Sequence, residues 1–184
     1  LKVVCPATPE DAKGLLISAI EDPNPVLYFE HKHLYRRIKA EVPEERYTTP
    51  FGKARIHREG EDLTVVTWGA MVYTADDAAK ELEADGVSVE ILDLRTIIPW
   101  DKKAVLESAQ KTSKVLVLHE DTRTGGFGGE IAATIAEEAF EHLDAPIKRI
   151  AAPDTPVPFS PPLEKAFIPQ VEDVAAGLRE LAEY

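Results

Sequence analysis

From residue 63 onward, apolar and polar positions alternate between two rhythms. "LTVVTWG", "VSVEILDLR", "KVLVLHE" and "PIKRIAA" are short, nearly all apolar runs. Between and after them lie "YTADDAAKELEADG", "WDKKAVLESAQKT", "GEIAATIAEEAFEHL" and "PQVEDVAAGLRELAEY", whose apolar positions recur every three to four residues. The first of these ends at Gly86, a natural C-cap. Strands of that length, apolar throughout and separated by helices, predict a mostly parallel sheet covered by helices on both faces. The fold class is α/β.

The first third of the chain reads differently. Residues 1–4 predict a strand, and Thr8 and Pro9 cap and open a helix reaching about Glu21, with Glu10 and Asp11 in its first turn. "DPNP" at 22–25 breaks that helix, because proline lacks the donor and restricts the residue before it. "VLYFEH" from Val26 predicts another strand. The polar, proline-punctuated stretch "RRIKAEVPEERYTTPFGKARIHREGED" reads as a linker with one short strand near residues 54–57, and places a domain boundary there.

The chain has 184 residues, 44% of them hydrophobic, and a formal net charge of -12. That charge argues against nucleic acid and anionic membranes and favours a basic protein partner or a cationic ligand. A single cysteine forms no internal disulfide, so a reducing, cytoplasmic setting is expected. No apolar run approaches the roughly 18 residues of a membrane helix. The chain starts in mid-pattern without Met, which points to a fragment and leaves a targeting peptide unassessed.

Candidate chemistry is sparse. Gly125, Gly126, Gly128 and Gly129 follow a strand and precede a helix, as in a phosphate cradle. No closing Lys follows, and Glu130 at the helix start would repel phosphate, so a tight turn with close packing is the favoured reading. His119, beside Glu120 and Asp121 at a strand's carboxyl end, is either a general base or a hydrogen-bonded rim histidine, the second preferred for want of a nucleophile. His31 and His33 share a face if their strand stays extended, as metal ligands do, without further ligands at suitable spacing. Cys5 reads as packing, and Asp93 with Arg95 as an ion pair on one strand face. The acidic helix with Glu130, Glu137, Glu138, Glu141 and Asp144 is a solvated face or a docking surface. The residues by themselves describe an α/β domain without its own catalytic constellation.

Five segments in register, "GLLISAIEDPNPVLYFEHKHLYR", "LTVVTWGAMV", "VEILDLRTIIPWD", "HEDTRTGGFGGEIA" and "DTPVPFSPPLEKAFIP", resemble the carboxyl-terminal half of the beta subunit of a thiamine-diphosphate-dependent 2-oxo acid dehydrogenase first component. "RTIIPWD" is more like branched-chain (2-oxoisovalerate) members, while "AAPDTPVPFS" and "GAMV" suit pyruvate members equally. The resemblance implies a transketolase-like carboxyl-terminal domain at 51–184, preceded at 1–50 by the tail of a pyrimidine-binding domain and linker. It implies an oxidoreductase subunit acting in an alpha2-beta2 heterotetramer, with thiamine diphosphate and magnesium held outside this segment. No catalytic or cofactor-binding residue falls here, so the segment alone is expected to be inactive. It further implies half of a potassium site at Ala19, Asp22 and Asn24, mostly through backbone carbonyls. Asp144 and Tyr184 match positions that dock the basic subunit-binding domain of the dihydrolipoyl acyltransferase. The alternatives are a pyruvate or acetoin dehydrogenase beta subunit, or a non-catalytic assembly and docking module.

Overall fold

A computed structural model describes all 184 residues, as two sheets. The larger has five strands, β3 (Arg55–Arg58), β4 (Leu63–Thr67), β5 (Val89–Asp93), β7 (Val115–Thr122) and β8 (Lys148–Ala152), in the order β3-β5-β4-β7-β8. The last four are parallel and β3 runs antiparallel along the β5 edge. All five residues of β4 and of β5 are buried, which is why these runs carry no polar alternation. The smaller sheet, β2-β1-β6, joins β1 (Lys2–Val4) in parallel to β2 (Val26–Tyr28) and antiparallel to β6 (Thr96–Ile98). It therefore stitches the first 50 residues to the loop that follows β5.

Helices cover both faces of the large sheet. Side chains of Leu63, Val65, Ile91 and Leu116 meet α3 (Met71–Glu83) and α7 (Val171–Ala182) on one face. Those of Val66, Leu92, Val115 and Val117 meet α4 (Lys102–Thr112) and α5 (Gly128–Glu138) on the other. The strand period of two sorts successive residues between these two cores. Caps fix where helices begin: Thr8 accepts from the Asp11 N–H at the start of α1 (Pro9–Glu21), Asp101 from Ala104 for α4, and Gln170 and Asp173 form a capping box on α7.

Several elements depart from the sequence expectation, among them β6, which no separate apolar run announced, and α5, which stops at Glu138 and gives way to a 3-10 turn at Phe140–His142. β2 stops at Tyr28 because its partner β1 ends at Val4, whose carbonyl takes the Phe29 N–H; His31 and His33 therefore leave the strand. The chain turns instead into a single helical turn, α2 (Leu34–Arg37). The proline-rich stretch after β8 also holds a helix, α6 (Pro161–Phe167), opened by two prolines that need no donor there.

Candidate functional site

The carboxyl ends of β4, β5 and β7 lie together, and ligands of open α/β sheets bind at such an edge. Two groups of polar residues occupy it, one on each side of the sheet.

On the α5 side, His119 is only 1% exposed and lies flat on Trp68, ring centroids 5.4 Å apart with planes 10° from parallel. Phe127 stands edge-on to both Trp68 and Trp100. The glycine-rich turn closes over the imidazole: a Cβ at Gly126 would come within 2.6 Å of His119 Cε1, and one at Gly128 within 2.6 Å of Nε2. Gly125 supplies the left-handed residue of the turn, φ 77°. Neither ring nitrogen has a hydrogen-bond partner, and burial holds the pKa below its usual value. The expected hydrogen-bonded rim histidine is thus a neutral, stacked core ring, because β7 continues past it and the turn folds back. A diphosphate does not fit this turn, since His119 fills the space and Glu130 stands in the first turn of α5.

On the α3 side, the first 50 residues are seated against the sheet edge. Arg95 Nε donates to Asp11 Oδ1 at 2.9 Å, and Arg55 Nη1 donates to Asp11 Oδ2 at 3.3 Å. Asp11 is fully buried on α1, so both guanidinium groups are needed to offset its desolvation. The expected Asp93–Arg95 side-chain pair does not form. Arg95 has a left-handed backbone, φ 60°, which turns its guanidinium to Asp11, while its backbone N–H donates to Asp93 Oδ1 at 3.0 Å. Asp93 is 0% exposed and its Oδ2 has no partner. Burial, with Asp11 nearby, pushes its pKa up to about 7 against the opposing Arg95 N–H. Cys5 sits beside it, its thiol pushed up to about 12 by burial and then by Asp93 and Glu120, which marks packing and not a nucleophile.

His31 Nε2 lies 2.9 Å from Glu120 Oε1, and that contact raises the imidazole pKa above its usual range. His33 Nε2 accepts from Arg37 Nη1 at 3.2 Å. The two rings meet edge to face at 6.2 Å, turned to different partners, and no group of three His, Cys, Asp or Glu side chains has metal-holding geometry. With Arg37, Met71, Glu120 and Glu164, both histidines line a cleft of about 520 Å³.

At the α1–β2 turn, Pro23 has no N–H with which to continue the helical bonding to the Ala19 carbonyl. Asp22 spends its carboxylate on the Lys2 ammonium and on the Asn24 N–H at 2.9 Å, and the Lys2 hydrogen bond is the main cause holding its pKa low. Asp144 is exposed, its N–H bonded to the Ser113 carbonyl at 2.9 Å. Tyr184 is exposed at the rim of a cleft shared with Arg123, Lys148, Arg149 and Glu180, of which Lys148 and Glu180 pair with each other. Glu130, Glu137 and Glu141 face solvent, and Glu138 pairs with Lys102.

Residues 52–174 match the transketolase C-terminal domain. The chain is 52% identical, over its full length, to 57% of the 2-oxoisovalerate dehydrogenase subunit beta of Bacillus subtilis. It is 47% identical, again over its full length, to 56% of the pyruvate dehydrogenase E1 component subunit beta of the same organism. Over 98% of its length it is 47% identical to 53% of the acetoin:2,6-dichlorophenolindophenol oxidoreductase subunit beta of Cupriavidus necator. Among solved structures it is similar to a split-gene transketolase described as an inactive beta4 tetramer, with a TM-score of 0.79, 27% identity, and coverage of 99% of this chain and 57% of that one. The chain spans about half the length of these relatives.

Proposed function

The chain belongs to the transketolase C-terminal domain family, and from that premise we propose that it is the carboxyl-terminal half of the beta subunit of a 2-oxo acid dehydrogenase first component. The substrate we assign is a branched-chain 2-oxo acid. The observation that carries the reading is the 52% identity to a 2-oxoisovalerate dehydrogenase beta subunit over the whole chain, the first 50 residues and the five-stranded domain together. Residues 1–50 then belong to the preceding pyrimidine-binding domain and its linker, and 51–184 form the carboxyl-terminal domain. The full protein works with an alpha subunit in a heterotetramer, in the cytoplasm, on thiamine diphosphate and magnesium bound outside this segment. When bound, that cofactor supplies the electron sink for decarboxylation. The residues here do the mechanical part: Arg95 and Arg55 hold α1 through Asp11, and the His119 stack fixes the turn beneath α5.

The test joins this chain to the coding sequence upstream of Leu1 and purifies it with the alpha subunit. Thiamine-diphosphate-dependent decarboxylation of 3-methyl-2-oxobutanoate faster than of pyruvate, with no turnover of acetoin, is the expected result. Preference for pyruvate or acetoin overturns the substrate assignment, and micromolar binding of thiamine diphosphate to the 184-residue chain alone overturns the placing of the cofactor. Docking is tested separately by titrating a basic acyltransferase subunit-binding domain at low and high salt. Asp144→Ala is expected to weaken binding more than Glu107→Ala, a rim charge whose loss is worth about 0–1 kcal/mol. Equal effects would make the Asp144–Tyr184 edge a solvated acidic face.

A further inference from the structure

The seam between residues 1–50 and the five-stranded domain is short on apolar contact and rich in groups that titrate. Its backbone part is the β1–β6 pairing and the Cys5 N–H, which donates to the Arg95 carbonyl at 2.8 Å. Tyr73 on α3 adds its hydroxyl to the Ala7 carbonyl at 3.0 Å. Beyond the packing of Ala7, Leu34 and Ile38 and an Arg55–Thr8 hydrogen bond, the remaining links are ionic: Asp11 with Arg95 and Arg55, Glu10 with Arg55, His31 with Glu120, and Arg37 with Asp77. Beneath it lies Asp93, wholly covered, with one carboxylate oxygen unpartnered. The groups facing Asp93 are Asp11 from α1, Arg55 from β3, Arg95 after β5, Cys5 after β1 and Tyr73 from α3.

We propose that seating the first 50 residues on the sheet edge takes up protons at Asp93 and at His31, so that the seam loosens as pH rises towards neutrality and tightens as pH falls from it.

Both groups act in the same direction. With the seam open, Asp93 is an ordinary carboxyl that ionises near pH 4. With the seam closed its pKa rises to about 7, so closure binds a proton between these values, and that contribution is lost as pH climbs through 7. His31 gains Glu120 only in the closed seam, which raises its pKa above the ordinary value of 6.5. Its contribution is fully present below the ordinary value and is lost as pH rises through the raised one. His57, its pKa lowered chiefly by burial, stands edge-on to Tyr73 with Arg55 nearby, and makes no hydrogen bond or ion pair with residues 1–50. One linked proton changes the closing equilibrium about tenfold per pH unit.

Amide hydrogen exchange on the full 184-residue chain tests this, corrected for the intrinsic pH dependence of exchange. The seam amides to follow are Cys5 and those of β6, with β4 amides as the core reference. Protection at the seam is expected to fall about tenfold per pH unit between pH 5.5 and 7.5 while β4 changes little. Asp93→Asn is expected to remove most of that slope, and His31→Gln the part above pH 6.5. Seam protection that tracks β4 at every pH overturns the proposal, as does an Asp93→Asn chain with the wild-type slope. If Asp93→Asn fails to fold, the wild-type comparison of seam with core decides the matter alone.

Discussion

Replacing the four glycines of the 125–129 turn by alanine, one at a time, separates a packing turn from an anion cradle. At Gly128 the new Cβ would lie 2.6 Å from His119 Nε2 and 3.1 Å from Val117 Cγ1. Ordinary contact starts near 3.4 Å, so something must move by close to an ångström. The imidazole has nowhere to go, being stacked on Trp68 and closed off from solvent. Overpacking of this kind costs about 1–3 kcal/mol. Gly126→Ala also meets the Thr122 carbonyl oxygen, which is backbone and less able to yield, and belongs at the upper end of that range. Gly125→Ala meets nothing within 4 Å but carries φ 77°, worth about 1–2 kcal/mol for a left-handed residue. Gly129→Ala touches only the mobile tip of Arg149 at 3.4 Å and sits in α5, where alanine is better than glycine by about 0.5–1 kcal/mol. Urea denaturation should therefore rank Gly126 and Gly128 as most costly, Gly125 intermediate, and Gly129 neutral or stabilising. Combining His119→Ala with Gly128→Ala should cost less than the sum of the two by about 0.5–3 kcal/mol, because the small residue vacates the space the Cβ needs. An anion cradle predicts the reverse, small stability changes at all four sites and lost stabilisation by added pyrophosphate. Additive effects at 119 and 128, or a Gly129→Ala as damaging as Gly128→Ala, would refute the packing argument.

Lys111→Met should destabilise the chain by about 2–3 kcal/mol, because Glu90, 1% exposed, would lose its only ionic partner at 2.8 Å; adding Glu90→Gln should restore most of the loss, and no restoration in urea melts would mean the pair is not the cause. Potassium should leave the thermal midpoint within error of that in sodium at equal ionic strength, since the Ala19–Asn24 turn offers few open oxygens; a potassium-specific rise would show that the turn binds the ion unaided.

The parts of the fold legible in the sequence were those whose cause is local or fully buried. β4, β5 and the first part of β7 read as strands because both faces are covered, and α1 was opened by Thr8, whose side chain caps it. β6 was not legible, since its three residues follow a left-handed Arg95 and pair with β1 more than ninety positions away. The same distance hid the polar cluster. Asp11 and Arg95 are 84 residues apart, and His31 and Glu120 are 89. One signal was available: Asp11 lies on the buried face of α1 beside Gly14 and Leu15, and an acid in that row needs a cation from elsewhere in the fold. The docking and potassium positions rest on resemblance, because neither an exposed Asp144 nor a carbonyl turn has a pattern of its own.

The two cores also say which part of the chain folds by itself. The core under α4 and α5 draws every one of its buried residues from positions 66–139, and the core under α3 and α7 takes from the first 50 the buried Ala7 and Leu34, with half-buried Ile38 against them. Those first residues keep little for themselves, leaving Leu16, Ile20, Leu27, Phe29 and Tyr35 exposed. A chain of 51–184 is therefore expected to fold, whereas 1–50 alone lies near the size at which a core is too small to hold. Truncation should also change the pH dependence of stability. In the whole chain Asp93 binds its proton more tightly folded than unfolded, so stability falls as pH rises from about 4 to 7. Three pH units at about 1.4 kcal/mol each give an upper bound near 4 kcal/mol. Without residues 1–50 the carboxyl regains water, its pKa returns toward the ordinary value, and that loss should vanish. Denaturant titrations of the two chains at pH 5 and pH 7.5 measure the difference. A 51–184 chain that lacks secondary structure by circular dichroism would show that the ionic seam, and not the two cores, holds the domain together; one that folds with the full chain's pH slope would place the titrating group elsewhere than Asp93.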